Sequence, residues 1–131
     1  MRDRWMTGKT PRQQLGRESE RKAAQWLVSQ GYVIERTNVR YPVGEIDILA
    51  WERDTLCFIE VRSTRSDRWG GALATIREGK RRRLILAARC YLQGLRELPP
   101  EIRFDVVAVC WPEGEAPSME LIRGAFTADI A

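Results

Sequence analysis

Two neighbouring stretches, Gly44-Glu45-Ile46-Asp47-Ile48-Leu49-Ala50 and Leu56-Cys57-Phe58-Ile59-Glu60-Val61-Arg62, set carboxylates inside runs that otherwise have the composition of buried β-strand. A buried carboxylate is expensive unless a cation meets it. With Glu52-Arg53-Asp54-Thr55 as a tight antiparallel turn centred on Arg53-Asp54, Asp47 is expected opposite Glu60, and Glu45 opposite Arg62. Like charges directly across a ladder, with Cβ atoms about 5 Å apart, are destabilising, so the pairing makes poor scaffolding. Alternation puts Glu45, Asp47 and Leu49 on one face of their strand, and Phe58, Glu60 and Arg62 on one face of its neighbour. Four ionisable groups then share a surface. Hard cations such as Mg²⁺ or Mn²⁺ take carboxylate oxygens and keep several waters, so Asp47 and Glu60, with Glu45 beside them, are candidate ligands. Such an ion lowers the pKa of a bound water and offsets charge on a substrate phosphate, while a nearby cation orients the nucleophile or stabilises that charge. The plainer alternative pairs Glu45 with Arg62 and Glu60 with an arginine of the following loop, leaving a solvated face of an edge hairpin.

Two helices have to flank these strands. Thr10-Pro11 is an N-cap and N1 pair for a helix running to about Gln30 and closed by Gly31. Gly16, Glu20, Ala23, Ala24 and Leu27 share its apolar face, so Glu20 points inward, whereas Glu18 points to solvent. A second helix is expected from about Ala72 to Glu97, ended by Pro99-Pro100. Ile76, Lys80, Leu84, Ala87 and Tyr91 share its inner face, so Lys80 is directed inward while Arg81 and Arg82 project outward. An inward glutamate or lysine commonly makes a structural ion pair, including with the other; two such positions on separate helices suggest one shared polar site. Strands are expected at Tyr32–Glu35, from Thr37 round a corner at Pro42-Val43-Gly44, and at Ile102–Cys110, with a weak last strand at Met119–Ile122. The order helix, three strands, helix, strand fits an α/β sandwich.

At 131 residues the chain has room for one hydrophobic core. Residues 1–11 are expected to be a flexible basic segment and 12–131 a single domain. There is no histidine, which excludes histidine-based hydrolysis and His/Cys metal sites. The three cysteines, Cys57, Cys90 and Cys110, each lie in apolar sequence and suit core positions rather than a disulfide frame. No signal-like or membrane-spanning run is present, so a cytoplasmic protein with no membrane partner is expected. The net charge of +4 is unevenly spread: residues 1–40 hold nine basic and four acidic side chains, 62–83 eight and two, and 41–61 one and five. Basic segments flanking an acidic centre suit a protein that grips a polyanion around a metal-loaded pocket. Arg65, Arg68 and Trp69 in the loop after the second acidic strand, with Arg77, Arg81 and Arg82 on the following helix, are candidate nucleic-acid contacts. A run such as Lys80-Arg81-Arg82-Arg83 is about as often only a solvated helix face.

Gly44-Glu45-Ile46-Asp47-Ile48-Leu49-Ala50 followed by Phe58-Ile59-Glu60-Val61-Arg62 resembles the YraN family of bacterial proteins, which is similar to Holliday-junction resolvases of the restriction-endonuclease-like, PD-(D/E)xK superfamily. The resemblance extends from about Leu15 to Val109 and takes in the helix with Glu20, the helix with Lys80, and Arg103-Phe104-Asp105-Val106-Val107. It implies a three-layer sandwich, a mixed central sheet flanked by helices in the order α-β-β-β-α-β. It also implies a Mg²⁺- or Mn²⁺-dependent nuclease acting on DNA phosphodiesters, branched DNA among them, and a homodimer where two strands are cut symmetrically. By position, Glu20 matches the helical acid, Asp47 the central metal ligand and Glu60 the second acid of the ExK element; Glu45 belongs to the GEID stretch. Arg62 stands where the superfamily pattern has lysine, and Ser19 where glycine usually precedes the helical glutamate. Arginine keeps the charge and binds phosphate, but with a pKa above about 12 it is a poor proton acceptor, and Lys80 is the cation expected to take that place. The exchange keeps open a nucleic-acid-binding protein without cleavage on the same fold. A protein-interaction module is the third alternative.

Overall fold

The computed structural model describes residues 10–65 and 78–128. Helix α1 (Pro11–Ser29) begins with a reciprocal cap: the Thr10 hydroxyl accepts from the Gln13 backbone N–H, and the Gln13 side chain accepts from the Thr10 N–H. It closes into Gly31, whose φ of +100° only glycine adopts readily. Strands β1 (Val33–Tyr41), β2 (Gly44–Glu52) and β3 (Thr55–Thr64) form an antiparallel meander, turning at Pro42-Val43 and at Arg53-Asp54. Helix α2 (Glu78–Gln93) crosses to β4 (Glu101–Cys110), which runs parallel to β3, and β5 (Ser118–Phe126) adds antiparallel to β4. The sheet order is β1-β2-β3-β4-β5.

The expected helix–strand order holds, with three differences at the boundaries. β1 is one continuous strand; a register shift between Ile34 and Arg36 absorbs what looked like a break at Arg36. α2 stops at Gln93, where the Gly94 N–H turns back to the Tyr91 carbonyl, several residues before the double proline. β5 reaches Phe126 because Phe126 stacks on Phe104 with ring centroids 5.0 Å apart, extending the strand beyond its own weak local preference. The part of the second helix expected at 72–77 lies outside the described residues, as do residues 1–9.

The sheet is the middle of three layers. On one side Leu49, Phe58 and Phe104 pack under Leu84, Ala87, Ala88 and Leu92 of α2. On the other, Ile48, Ala50, Cys57, Ile59, Val107 and Val109 pack under Ala23 and Leu27 of α1. Each large side chain fully withdrawn from water here contributes about 2 kcal/mol. All three cysteines are free thiols; Cys57 and Cys110 occupy the expected core positions, whereas Cys90 is only half-buried. No helix among the described residues is long and apolar enough to cross a membrane.

One irregularity decides where a site can form. The β2–β3 ladder pairs Glu52 with Thr55 and continues to Ile48 with Ile59, in the register set by the Arg53-Asp54 turn, and there it ends. Beyond it, β3 goes on pairing with β4 as far as Thr64, while β2 continues only with β1. A two-stranded ribbon twists more strongly than a wide sheet. Accordingly Ile46 packs on the α2 side although Ile48, two residues on, packs on the α1 side. The ribbon turns about its axis at Asp47, and its tip settles on α2 at Gly44. A Cβ there would fall 1.9 Å from the Arg83 carbonyl oxygen, so only glycine allows this approach.

Candidate active site

A pocket of about 360 Å³ opens where β2 and β3 part. Its floor is Asp47 from β2 with Glu60 from β3, and Glu45, Arg62 and Ser63 line it further along the two strands. Because the gap lies beyond the last ladder pair, helices from both layers reach it: α1 supplies Arg12, Gly16, Ser19 and Glu20, and α2 supplies Lys80 and Arg83. Glu20, Glu45, Asp47, Glu60, Arg62 and Lys80, which the sequence placed on one surface from four separate elements, all border this one cavity.

The expected pairing at the site needs correction. Asp47 and Glu60 are not ladder partners; the Asp47 carboxylate replaces the missing strand contact by accepting the Val61 backbone N–H at 2.9 Å. Glu45 is not opposite Arg62. It lies across from Arg40 in the β1–β2 ladder, with an ion pair at 3.5 Å, so it leans on the hairpin rather than on β3. Lys80 pairs with Glu60, its Nζ 3.7 Å from Oε2, and not with Glu20.

Electrostatically the pocket has an acidic floor and a basic rim. The Glu60 side chain is 11 % exposed, whereas that of Lys80 is 56 % exposed and Arg12 and Arg83 are exposed as well. Cations in water stabilise buried carboxylates only partly. Burial, and then the charge of Asp47, push Glu60 well above the usual carboxylate range, with Lys80 and Arg62 pulling the other way. Asp47 is raised by burial and by Glu45, against the Val61 N–H and Lys80. Glu20 is pushed up to about 7 by burial and then by Asp47, while the Asn38 side chain, hydrogen-bonded to it, acts in the opposite sense. Desolvation is the largest cause in all three. Among the described residues no three acidic, histidine or cysteine side chains converge closely enough to enclose an ion. The buried pair Asp47 and Glu60 instead suits a hard divalent cation that keeps waters for its remaining positions, with Glu20 near enough to feel Asp47.

The expected nucleic-acid residues fare differently. Arg68, Trp69 and Arg77 lie outside the described residues. Arg65 is exposed just past β3, Arg82 is exposed on α2 away from the pocket lining, and the Arg81 guanidinium lies 5.0 Å over the Phe126 ring, engaged with β5. Arg12 and Arg83 are pocket residues that the sequence patterns did not single out. Arg12 continues the Gly16, Glu20 row one turn back, so its signal was the four-residue spacing. Ser19 is buried, and its Oγ accepts from the Trp111 indole N–H at 2.8 Å, tying the turn that carries Glu20 to the end of β4. That hydrogen bond spans 92 positions and has no local signature.

Residues 19–109, from Ser19 within α1 to Val109 near the end of β4, match the Uncharacterised protein family UPF0102. A UPF0102 protein of Desulfosudis oleivorans is 42 % identical over 120 residues, 92 % of this chain and 95 % of the relative. One from Anaeromyxobacter dehalogenans is 42 % identical over 118 residues, covering 90 % and 87 %. One from Pseudomonas paraeruginosa is 39 % identical over 125 residues, covering 94 % of this chain and the whole relative. A match that takes in both acidic strands, α2, the second half of α1 and nearly all of β4 places the chain in UPF0102, the YraN family.

Proposed function

We propose that this protein is a metal-dependent nuclease that hydrolyses phosphodiester bonds of DNA, branched DNA included. The observation that carries the reading is the acidic floor: two buried, mutually repelling carboxylates from strands that separate at that point, ringed by cations suited to phosphate. Asp47 and Glu60 would hold Mg²⁺ or Mn²⁺. Bound there, the ion supplies a more acidic water and charge neutralisation at the phosphate. The chain's own groups divide the remaining work. Val61 N–H fixes the Asp47 carboxylate, leaving its other oxygen for the ion. Glu20, titrating near 7, accepts or returns a proton from water at the α1 wall. Lys80 and Arg62 stabilise negative charge gathering at the phosphate, and Arg12 and Arg83 draw the polyanion to the rim.

Arg62 favours a second reading, a nucleic-acid-binding protein on the same fold that does not cut, because a guanidinium cannot take a proton from water as lysine can. Cleavage of end-labelled linear, flapped and four-way-junction DNA in Mg²⁺, Mn²⁺ or EDTA separates the two. Metal-dependent products from the wild type, lost in Asp47→Ala, are the expected result, with Arg62→Lys at least as active as wild type. Intact DNA at every condition, with affinity retained, would replace the nuclease with the binding protein.

A further inference from the structure

The pocket has a second, larger neighbour. A groove of about 1200 Å³ runs between α1 and β1, and Gly16 and Glu20 border both cavities, so the groove leads over Gly16 to the acidic floor. Its walls mix polar and apolar surface: Gln13, Arg17 and Arg21 from α1 face Asn38 and Arg40 from β1, with Glu18 and Glu20 among them. Arg21 also pairs with Glu18, and Arg40 with Glu45, but both arginines keep more than half of their side-chain surface exposed. Arginines and amides are the donors used to hold phosphate and sugar, and the described lining contains no aromatic side chain on which a base could stack.

Gly16 itself is unexplained by the fold. Glycine is among the poorest residues for a helix interior, and a Cβ added here would meet nothing within 4 Å. Packing does not demand it, in contrast to Gly44. Glycine at a point where two cavities join fits a backbone that a ligand must approach closely.

We infer that the α1–β1 groove is the path along which one nucleic-acid strand reaches the pocket, held by its sugar–phosphate backbone and crossing at Gly16. This rests on the nucleic-acid reading above and brings the strand in along the α1 side of the pocket rather than over Arg81 and Arg82 of α2. Recognition through phosphates is independent of sequence and strongly salt-dependent.

The test is fluorescence anisotropy with a labelled mixed-sequence single strand and a four-way junction, on the full chain, with Ca²⁺ as the divalent ion and across a salt series. Arg17→Ala/Arg21→Ala should weaken binding about tenfold and flatten the salt slope by about one to two, roughly one for each phosphate no longer held. Arg96→Ala, beyond the far end of α2, should bind as wild type does. Gly16→Ala should melt about 4 °C higher yet bind several-fold more weakly, a combination that a purely structural role cannot produce. If the groove variants bind normally while Arg81→Ala/Arg82→Ala loses affinity, the path lies over α2; the groove is then wrong and the nucleic-acid reading stands. If the wild type binds neither probe at any salt, the functional reading falls and the groove falls with it.

Discussion

Among the described residues two clusters of carboxylates are withdrawn from solvent, and they are built on opposite terms. Nearer the Arg53-Asp54 turn, fully buried Asp105 takes both Arg103 Nε and Nη2 at 2.8 Å, the Gly124 N–H at 2.9 Å and the Tyr32 hydroxyl at 3.1 Å. Arg103 also reaches Glu52 at 2.7 Å, which in turn holds Arg123 through both its oxygens. Hydrogen bonds from Arg123, outweighing burial, hold Glu52 down at about 2. Burial pushes the neighbouring Tyr32 hydroxyl and Cys57 thiol up, so that neither ionises near neutrality. Where β2 and β3 part, the balance differs: Asp47 accepts the Val61 N–H, Glu60 meets Lys80 at 3.7 Å, and Lys80 stands toward solvent. A satisfied network stiffens a fold, whereas a buried pair that is under-neutralised from within suits the positive charge that the proposed metal ion would bring. The contrast teaches that burial alone does not mark a site; the marker is burial without matching internal partners.

The contrast can be broken most sharply at Asp105. Asp105→Ala leaves a part-buried Arg103 without its main partner and should cost about 3–5 kcal/mol, measured by urea unfolding. A loss below about 1 kcal/mol would mean that the network is not the scaffold inferred here. A divalent ion gives the next largest effect. At about one hundred times its Kd, Mg²⁺ should stabilise the protein by about 2.7 kcal/mol, and Glu60→Gln should abolish that gain while leaving the metal-free protein at pH 8 no less stable than wild type. An equal gain in Glu60→Gln would place the ion elsewhere.

The smallest effect is in the pH profile, on the order of 1 kcal/mol per carboxylate after screening. Glu52, lowered in the fold, stabilises above its unfolded value of 4.5, and that contribution fades as pH falls toward 2. Glu20, raised to about 7, does the opposite: the fold binds its proton more tightly, so stability declines as pH rises from 4.5 through 7. Without divalent ions the melting temperature should therefore peak near pH 5, and saturating Mg²⁺ should move the peak upward. A metal-free optimum at pH 8 would show that the pocket's acids are neutralised from within.

Much of this was legible in the chain. The Arg53-Asp54 turn fixed the hairpin register, and period-2 and period-3.6 placement brought Glu20, Asp47, Glu60 and Lys80 toward one point. Thr10-Pro11 started α1 where capping chemistry said it should. What escaped depended on residues distant in sequence. The ladder ends at Ile48 and the Asp47 carboxylate accepts the Val61 N–H in place of a strand partner, a choice that local propensity does not encode. Glu45 turned to Arg40 because the ribbon twists away from β3. α2 stopped at Gly94 rather than Pro99 because the stronger breaker came later than the turn actually used.

Both margins of the sheet are irregular. β1 carries the register shift near Ile34 and Asn38 at a φ of 53°, while β5 lies against a second shift between Phe104 and Val106 and holds Gly124 at a φ of 62°. An open margin of regular strand is a template on which another chain can add, and kinks of this kind spoil the template. Neither margin offers a long flat run of evenly spaced donors and acceptors, so the sheet is poorly suited to extension from molecule to molecule. The distortions that aim Asn38 at Glu20 and present the Gly124 N–H to Asp105 also guard the protein against fibrous self-association.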